Sequence, residues 1–193
     1  MEAVSVILMV ALAYFLGSLS TAIITCRVMG LPDPRSVGSH NPGATNVYKV
    51  AGRKAAAITL VGDLLKGLLP VLIARALSFG AEALALVALA AFLGHLYPIF
   101  FGFKGGKGVA TAFGVILGLE PWVALAMLVS WSLVFGMFRI SSLAALMTAL
   151  LTPLFFYLLS GTLPYTAMSL LLTLFVVYRH RSNIEKLIEG TED

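Results

Sequence analysis

Seven apolar stretches, at residues 3–25, 55–77, 82–101, 109–119, 121–138, 142–160 and 164–178, fill most of this 193-residue chain and leave only short breaks between them. A run of about 20 apolar residues crosses the roughly 30 Å of hydrocarbon in a bilayer, so this pattern dictates a bundle of membrane helices. The chain is 60% hydrophobic and 11% charged, whereas soluble domains average about 45–50% and about 25%. The expected architecture is therefore all-α: a polytopic integral membrane protein with seven transmembrane helices, forming one domain over residues 1–193. Ser78-Phe79-Gly80, the stretch from Gly118 to Pro121, and Ser160-Gly161 ahead of Pro164 read as tight turns between antiparallel helices. No internal repeat or low-complexity linker divides the chain. Met1-Glu2-Ala3 lacks the basic start of a signal peptide, and the apolar run behind it is too long for one, so it is expected to remain as a helix. A lone cysteine, Cys26, excludes an internal disulfide, and no His/Cys cluster has metal-ligand spacing.

The 13 Lys+Arg against 9 Asp+Glu give a formal charge of +4, which in a membrane protein reports topology before it reports nucleic acid. Cytoplasmic loops collect Lys and Arg. If the first helix runs from outside to inside, Arg27, Arg35, Lys49, Arg53, Lys54, Lys104, Lys107, Arg139, Arg179, Arg181 and Lys186 all fall inside. Only Arg75 then lies outside, with Lys66 inside a helix. The N-terminus is thus expected outside and the C-terminus in the cytoplasm. Segment 109–119 is short: at about 1.5 Å per residue it reaches roughly 16 Å, half the hydrocarbon thickness. Reading it as a re-entrant hairpin would put Arg139, Arg179, Arg181 and Lys186 outside, so it is expected to span, with the loop before it sunk towards the membrane.

That loop, Phe103-Lys104-Gly105-Gly106-Lys107-Gly108-Val109-Ala110-Thr111, combines freely turning backbone with two cations, which is anion-binding chemistry. It lacks the spacing of a nucleotide P-loop, because Gly108 follows Lys107. Two other helix starts are expected on the same cytoplasmic face, Gly38-Ser39-His40-Asn41-Pro42-Gly43-Ala44-Thr45-Asn46 and Arg139-Ile140-Ser141-Ser142. Each pairs polar residues with a cation, Arg35, Lys107 or Arg139, and helix N-termini offer free N–H groups and a positive dipole end. Any one of them is equally well read as ordinary capping. Three together, with Gly38, Gly43, Gly105, Gly106 and Gly108, point to phosphate.

Asp63 and Lys66 share one helix face inside the second segment, where charges are costly. They are either an internal ion pair or a contribution from Lys66 to the anion site. Of the histidines, His40 reads as incidental in its loop, and His95 as either a bundle-facing imidazole or a catalytic one. His180, just past the last segment, is the best placed for acid–base work. The tail 184–193 alternates charged and apolar residues and is read as a short amphipathic surface helix.

Several blocks taken in order resemble the bacterial PlsY family, the acyl-phosphate:glycerol-3-phosphate acyltransferases. They are Gly17-Ser18-Leu19-Ser20-Thr21-Ala22, residues 38–46, Asp63 with Lys66 and Gly67, Gly94-His95 with Pro98, residues 103–111, and His180-Arg181 with Asn183-Ile184 and Gly190-Thr191-Glu192. Ser20 stands where a proline is common in that family, and Lys186 where an arginine is common. The resemblance implies transfer of a fatty acyl group from acyl phosphate to the sn-1 hydroxyl of glycerol 3-phosphate, giving lysophosphatidate and phosphate without coenzyme A or another cofactor. It implies three cytoplasmic motifs: Arg35 with Gly38 and Ser39, the loop 104–108 as the glycerol 3-phosphate site, and His180 with Asn183 and Glu192.

The expected catalytic residues are His180, Asn183, Arg35 and Lys104. Expected to bind substrate are Ser39, Asn41, Gly43, Thr45, Asn46, Lys66, Gly105, Gly106, Lys107, Gly108, Thr111, Ser141 and Ser142. In the implied reaction the hydroxyl attacks the acyl carbonyl directly, the cations hold the phosphates, and His180 or a substrate phosphate oxygen takes the proton. The serines bind rather than form an acyl-enzyme. The expected setting is the bacterial inner membrane, with the site on the cytoplasmic side and the donor supplied by a soluble phosphate acyltransferase. The alternative is a membrane transporter of an organic phosphate, which calls for polar residues continuing across the bundle.

Overall fold

A computed structural model of the protein describes residues 2–192, and among them the regular structure is helical throughout. The helices are α1 (Glu2–Gly17), α2 (Thr21–Val28), α3 (Ala44–Ala76), α4 (Ala81–Leu96), α5 (Val109–Leu119), α6 (Pro121–Phe138), α7 (Ser141–Leu159), α8 (Leu163–Arg179) and α9 (Arg181–Ile188), with a 3₁₀ turn at Ile99–Phe101. Four helical stretches are long and apolar enough to cross a membrane, and α1 with α2 makes a fifth if the bent pair counts as one span. Helix α5 and helix α8 are shorter apolar helices.

The boundaries of α5 and α6 coincide with the expected segments because Gly108, Glu120-Pro121 and Arg139 mark them chemically. The first segment departs from expectation: it bends by 42° between α1 and α2. Ser20 takes an extended conformation there, with φ −78° and ψ 93°, which leaves the Leu19 carbonyl to accept a hydrogen bond from Lys66 Nζ at 2.9 Å. Irregular backbone is tolerated at membrane depth only where neighbouring protein satisfies it, and Lys66 does so here. Helix α3 starts well before residue 55, and Gly52 breaks it with φ 84° and ψ 177°. Pro98 and the 3₁₀ turn end α4 ahead of residue 101. The tail helix begins at Arg181, directly after α8.

Small residues set the packing, as close helix approach in lipid requires. A Cβ on Gly114 would stand 2.1 Å from Leu64 O, and one on Gly67 would stand 2.5 Å from Thr111 O, so α3 and α5 touch backbone to backbone. Gly17 and Gly94 bring α1 onto α4 in the same way. Helix α4 is the centre of the bundle, packed on α1, α3, α5 and α8, and its Phe92 and Leu96 join Val115, Ile116, Leu119 and Phe156 in the core. Arg75 Nη1 donates to Gly118 O at 2.8 Å and Leu119 O at 2.9 Å, satisfying the C-terminal carbonyls of the short α5. Helix α6 turns Trp122, Leu128, Leu133 and Met137 outward, the surface expected of a lipid-facing helix.

Candidate active site

The loops before α3 and α5, the first turn of α7, and the α8–α9 corner meet at one end of the bundle. Two clefts open there. One, of about 260 Å³, is lined by Arg35, His40, Pro42, Phe103, Lys104, Gly105 and Arg179. The other, of about 180 Å³, is bounded by Ser39, Asn41, Lys107, Arg181 and Ser182, and shares His40, Gly105 and Arg179 with the first.

The glycine loop is gripped from both sides. Arg179 donates from Nη2 to Gly105 O at 2.7 Å and from Nε to Gly106 O at 3.1 Å, while the Gly106 N–H donates to His95 O at 3.3 Å. Gly108 turns the chain into α5 at φ 86°, where its own backbone closes against Phe92. The glycines are therefore required by protein contacts. A Cβ on Gly106 would stand 2.3 Å from His95 Nε2, and one on Gly105 would stand 2.0 Å from His95 O.

Arg35 is held by its ion pair with Asp33 at 2.7 Å and by Phe101 O at 3.3 Å. The hydrogen bonds from Arg35 keep the Asp33 carboxyl below the usual carboxylate range. Asn46 organises the loop behind the clefts: its Oδ1 accepts the Ser39 N–H at 2.8 Å, and its Nδ2 donates to Pro34 O at 2.8 Å and Val37 O at 3.1 Å. Gly43 caps α3, while Thr45 is exposed on its first turn.

A second network crosses from the loop before α5 to α7. Lys107 Nζ donates to Asn183 Oδ1, Asn183 Nδ2 donates to Glu192 Oε1 at 2.5 Å, and Ser142 Oγ donates to the same oxygen at 2.6 Å. Burial pulls the Lys107 ammonium below its ordinary pKa, and the Glu192 charge partly offsets this. Ser141 begins α7 beside Ser142. Of the other expected residues, Lys66 and Thr111 lie in the interior and line neither cleft: Lys66 pairs with Asp63 at 2.8 Å, and Thr111 Oγ1 donates to Asp63 O at 3.0 Å. Arg139 ends α6 at φ 60° and is likewise outside both clefts.

His180 sits at the α8–α9 corner, 3% exposed, with Nδ1 2.8 Å from Val176 O. A carbonyl only accepts, so Nδ1 carries the proton. Burial pushes the imidazole down to about 4, which keeps it neutral at physiological pH. In the unfolded chain the group protonates near 6.5, so the stability tied to the neutral ring is complete above that pH and is lost as the pH falls from 6.5 towards 4. The loss reaches up to about 3 kcal/mol. Unfolding midpoints measured across this window should fall more steeply for the natural protein than for His180→Asn. Parallel curves would show that the folded protein protonates the ring freely.

Arg179, Arg181, His40, Phe103 and Ser182 were not among the expected site residues. The signal for Arg179 and Arg181 was present, two cations flanking His180, but the positive-inside count already accounted for them.

The family described as glycerol-3-phosphate acyltransferase matches residues 7–190. A glycerol-3-phosphate acyltransferase of Thioalkalivibrio sulfidiphilus is 59% identical over 180 residues, covering 93% of this chain and 89% of that protein. One of Hydrogenovibrio crunogenus is 54% identical over 185 residues, covering 95% and 88%. The chain is also similar to the crystal structure of PlsY, an integral membrane glycerol 3-phosphate acyltransferase, in its glycerol 3-phosphate form. The TM-score there is 0.94 at 40% identity, over 98% of this chain and 94% of that one.

Proposed function

We propose that this chain, which belongs to the glycerol-3-phosphate acyltransferase family, takes its acyl group from an acyl phosphate and delivers it to the sn-1 hydroxyl of glycerol 3-phosphate. The observation that carries this reading is the pair of cationic clefts sharing His40, Gly105 and Arg179. Both substrates carry a phosphate, and two phosphates held side by side bring donor and acceptor into one reaction volume. The C–O bond forms as the acyl carbon releases inorganic phosphate, and Arg35, Lys104, Lys107 and Arg179 neutralise the charge that gathers on the leaving group. Ser39 and Asn41 hydrogen-bond phosphate oxygens in the smaller cleft, while Ser142 and Asn183 hold the acceptor beside Lys107. Gly43, Thr45, Asn46, Gly106, Gly108 and Ser141 shape the loops and helix starts around them.

The hydroxyl proton passes to a phosphate oxygen of the substrate. His180, held near 4 by burial, is a weak base at neutral pH, whereas a phosphate monoester has its second pKa at about 6. His180 instead fixes the corner that presents Asn183. The organic-phosphate transporter finds no support in the interior, where Asp63, Lys66 and His95 close on one another rather than line a path.

The bent α1–α2 pair, the four longer helical stretches and the shorter α5 and α8 make the seven spans of this reading. The N-terminus lies outside, and the clefts face the cytoplasm of a bacterial inner membrane, where a soluble phosphate acyltransferase supplies the donor. Purified protein given acyl phosphate and glycerol 3-phosphate should release phosphate only when both are present, with lysophosphatidate formed in equal amount. Equal turnover of acyl-coenzyme A would overturn the choice of donor.

A further inference from the structure

Asp63, Lys66 and His95 are buried charged and titratable groups that the proposed chemistry leaves unused. The three residues are 3%, 7% and 6% exposed, respectively, and none lines a cleft. Asp63 Oδ1 accepts from Lys66 Nζ at 2.8 Å and Thr21 Oγ1 at 2.5 Å, and it faces His95 Nδ1 at 3.5 Å. Lys66 also reaches Leu19 O in the break between α1 and α2, and the Asp63 carbonyl accepts from Thr111 in the first turn of α5. Helices α2, α3, α4 and α5 and the α1–α2 break are thus tied at one buried point. Ionisable groups inside a bundle are expensive and persist where they do something specific. The output of this cluster is the other side of His95, whose carbonyl accepts the Gly106 N–H and whose Nε2 occupies the space a side chain at Gly106 would need.

We propose that the buried Asp63–Lys66–His95 cluster is a positioning device for the phosphate-binding loop, with His95 as the residue that sets the height of the Gly105–Gly106 turn beneath Arg179. The proposal rests on the acyltransferase reading for its kinetic test alone. Asp63, anchored by Lys66, faces the ring from below at 3.5 Å, and the far side of the ring stands against the turn. His95 is a positioning residue: it acts on substrate through the loop.

The test is a double-mutant cycle between His95→Asn and Gly106→Ala. Asparagine keeps a nitrogen on the Asp63 side and removes Nε2. In the natural protein Gly106→Ala should raise the KM for glycerol 3-phosphate tenfold or more, and in the His95→Asn background by less than about threefold. His95→Asn alone should raise that KM about tenfold with kcat within about threefold, and Asp63→Asn should shift it in the same direction. Inorganic phosphate should raise the unfolding midpoint of the natural protein and raise it less for His95→Asn, a reading independent of turnover. Additive losses in the cycle, or equal phosphate protection of the two proteins, would overturn the proposal. Natural protein that gains stability from phosphate yet fails to turn over its substrates would instead refute the functional reading. If His95→Asn does not fold, Gly106→Ala and Asp63→Asn decide the point: a glycerol 3-phosphate KM unchanged in both overturns it.

Discussion

Replacing Arg179 by alanine should lower kcat/KM for acyl transfer on the order of a thousandfold. The guanidinium does two things at once. It is a cation lining both clefts, and its Nη2 and Nε hold the Gly105 and Gly106 carbonyls at 2.7 and 3.1 Å. Those two bonds occupy carbonyl oxygens that would otherwise repel the phosphates of the proposed substrates. Without them, two buried carbonyl oxygens lose their partner and the loop loses its upper support. Lysine should restore no more than about tenfold, since a single ammonium lacks the fork that spans two adjacent carbonyls. Steady-state kinetics with both substrates varied is the check; an alanine variant within threefold of the natural protein would remove Arg179 from the site.

Gly105→Ala should be as damaging through a different route. The new Cβ would stand 2.0 Å from His95 O and 2.5 Å from Leu96 O, both backbone atoms at the end of the central helix. A flexible side chain yields to such a contact, but α4, packed on four other helices, does not. The loop must move instead, taking with it the carbonyls Arg179 holds and the Gly106 N–H that donates to His95 O. Activity should fall more than a hundredfold. Gly136→Ala is the matched control, because nothing lies within 4 Å of its Cβ position, and it should behave as the natural protein in both activity and unfolding.

The sequence revealed most of the fold wherever local chemistry ends a helix. Pro121 and Gly108 mark boundaries through their own backbone preferences and Arg139 through the charge that ends an apolar run, so residues 109–119 and 121–138 were readable to the residue. The break at Ser18–Ser20 was not, because serine and leucine continue a membrane helix as readily as they interrupt one. What stabilises the interruption is Lys66, which comes from another helix. The same limit applies to the site. Glycine in the loop was legible as freedom of backbone, but its need was assigned to an approaching ligand, whereas the nearest atoms belong to His95 for Gly105 and Gly106 and to Phe92 for Gly108. Arg179 was visible as charge and invisible as geometry, since its carbonyl partners lie more than 70 residues away in sequence.

The bond from Lys66 to Leu19 makes the stability of one membrane segment depend on another. The Leu19 carbonyl takes its hydrogen bond from a residue 47 positions later in the chain. Lys66 in turn carries its charge into hydrocarbon within the same helix as Asp63, a load of a few kcal/mol on the helix that bears it. Neither segment is at rest in lipid alone. The break between α1 and α2 and the charge on α3 are each satisfied only when the two segments lie side by side, so they are stable in lipid as a pair.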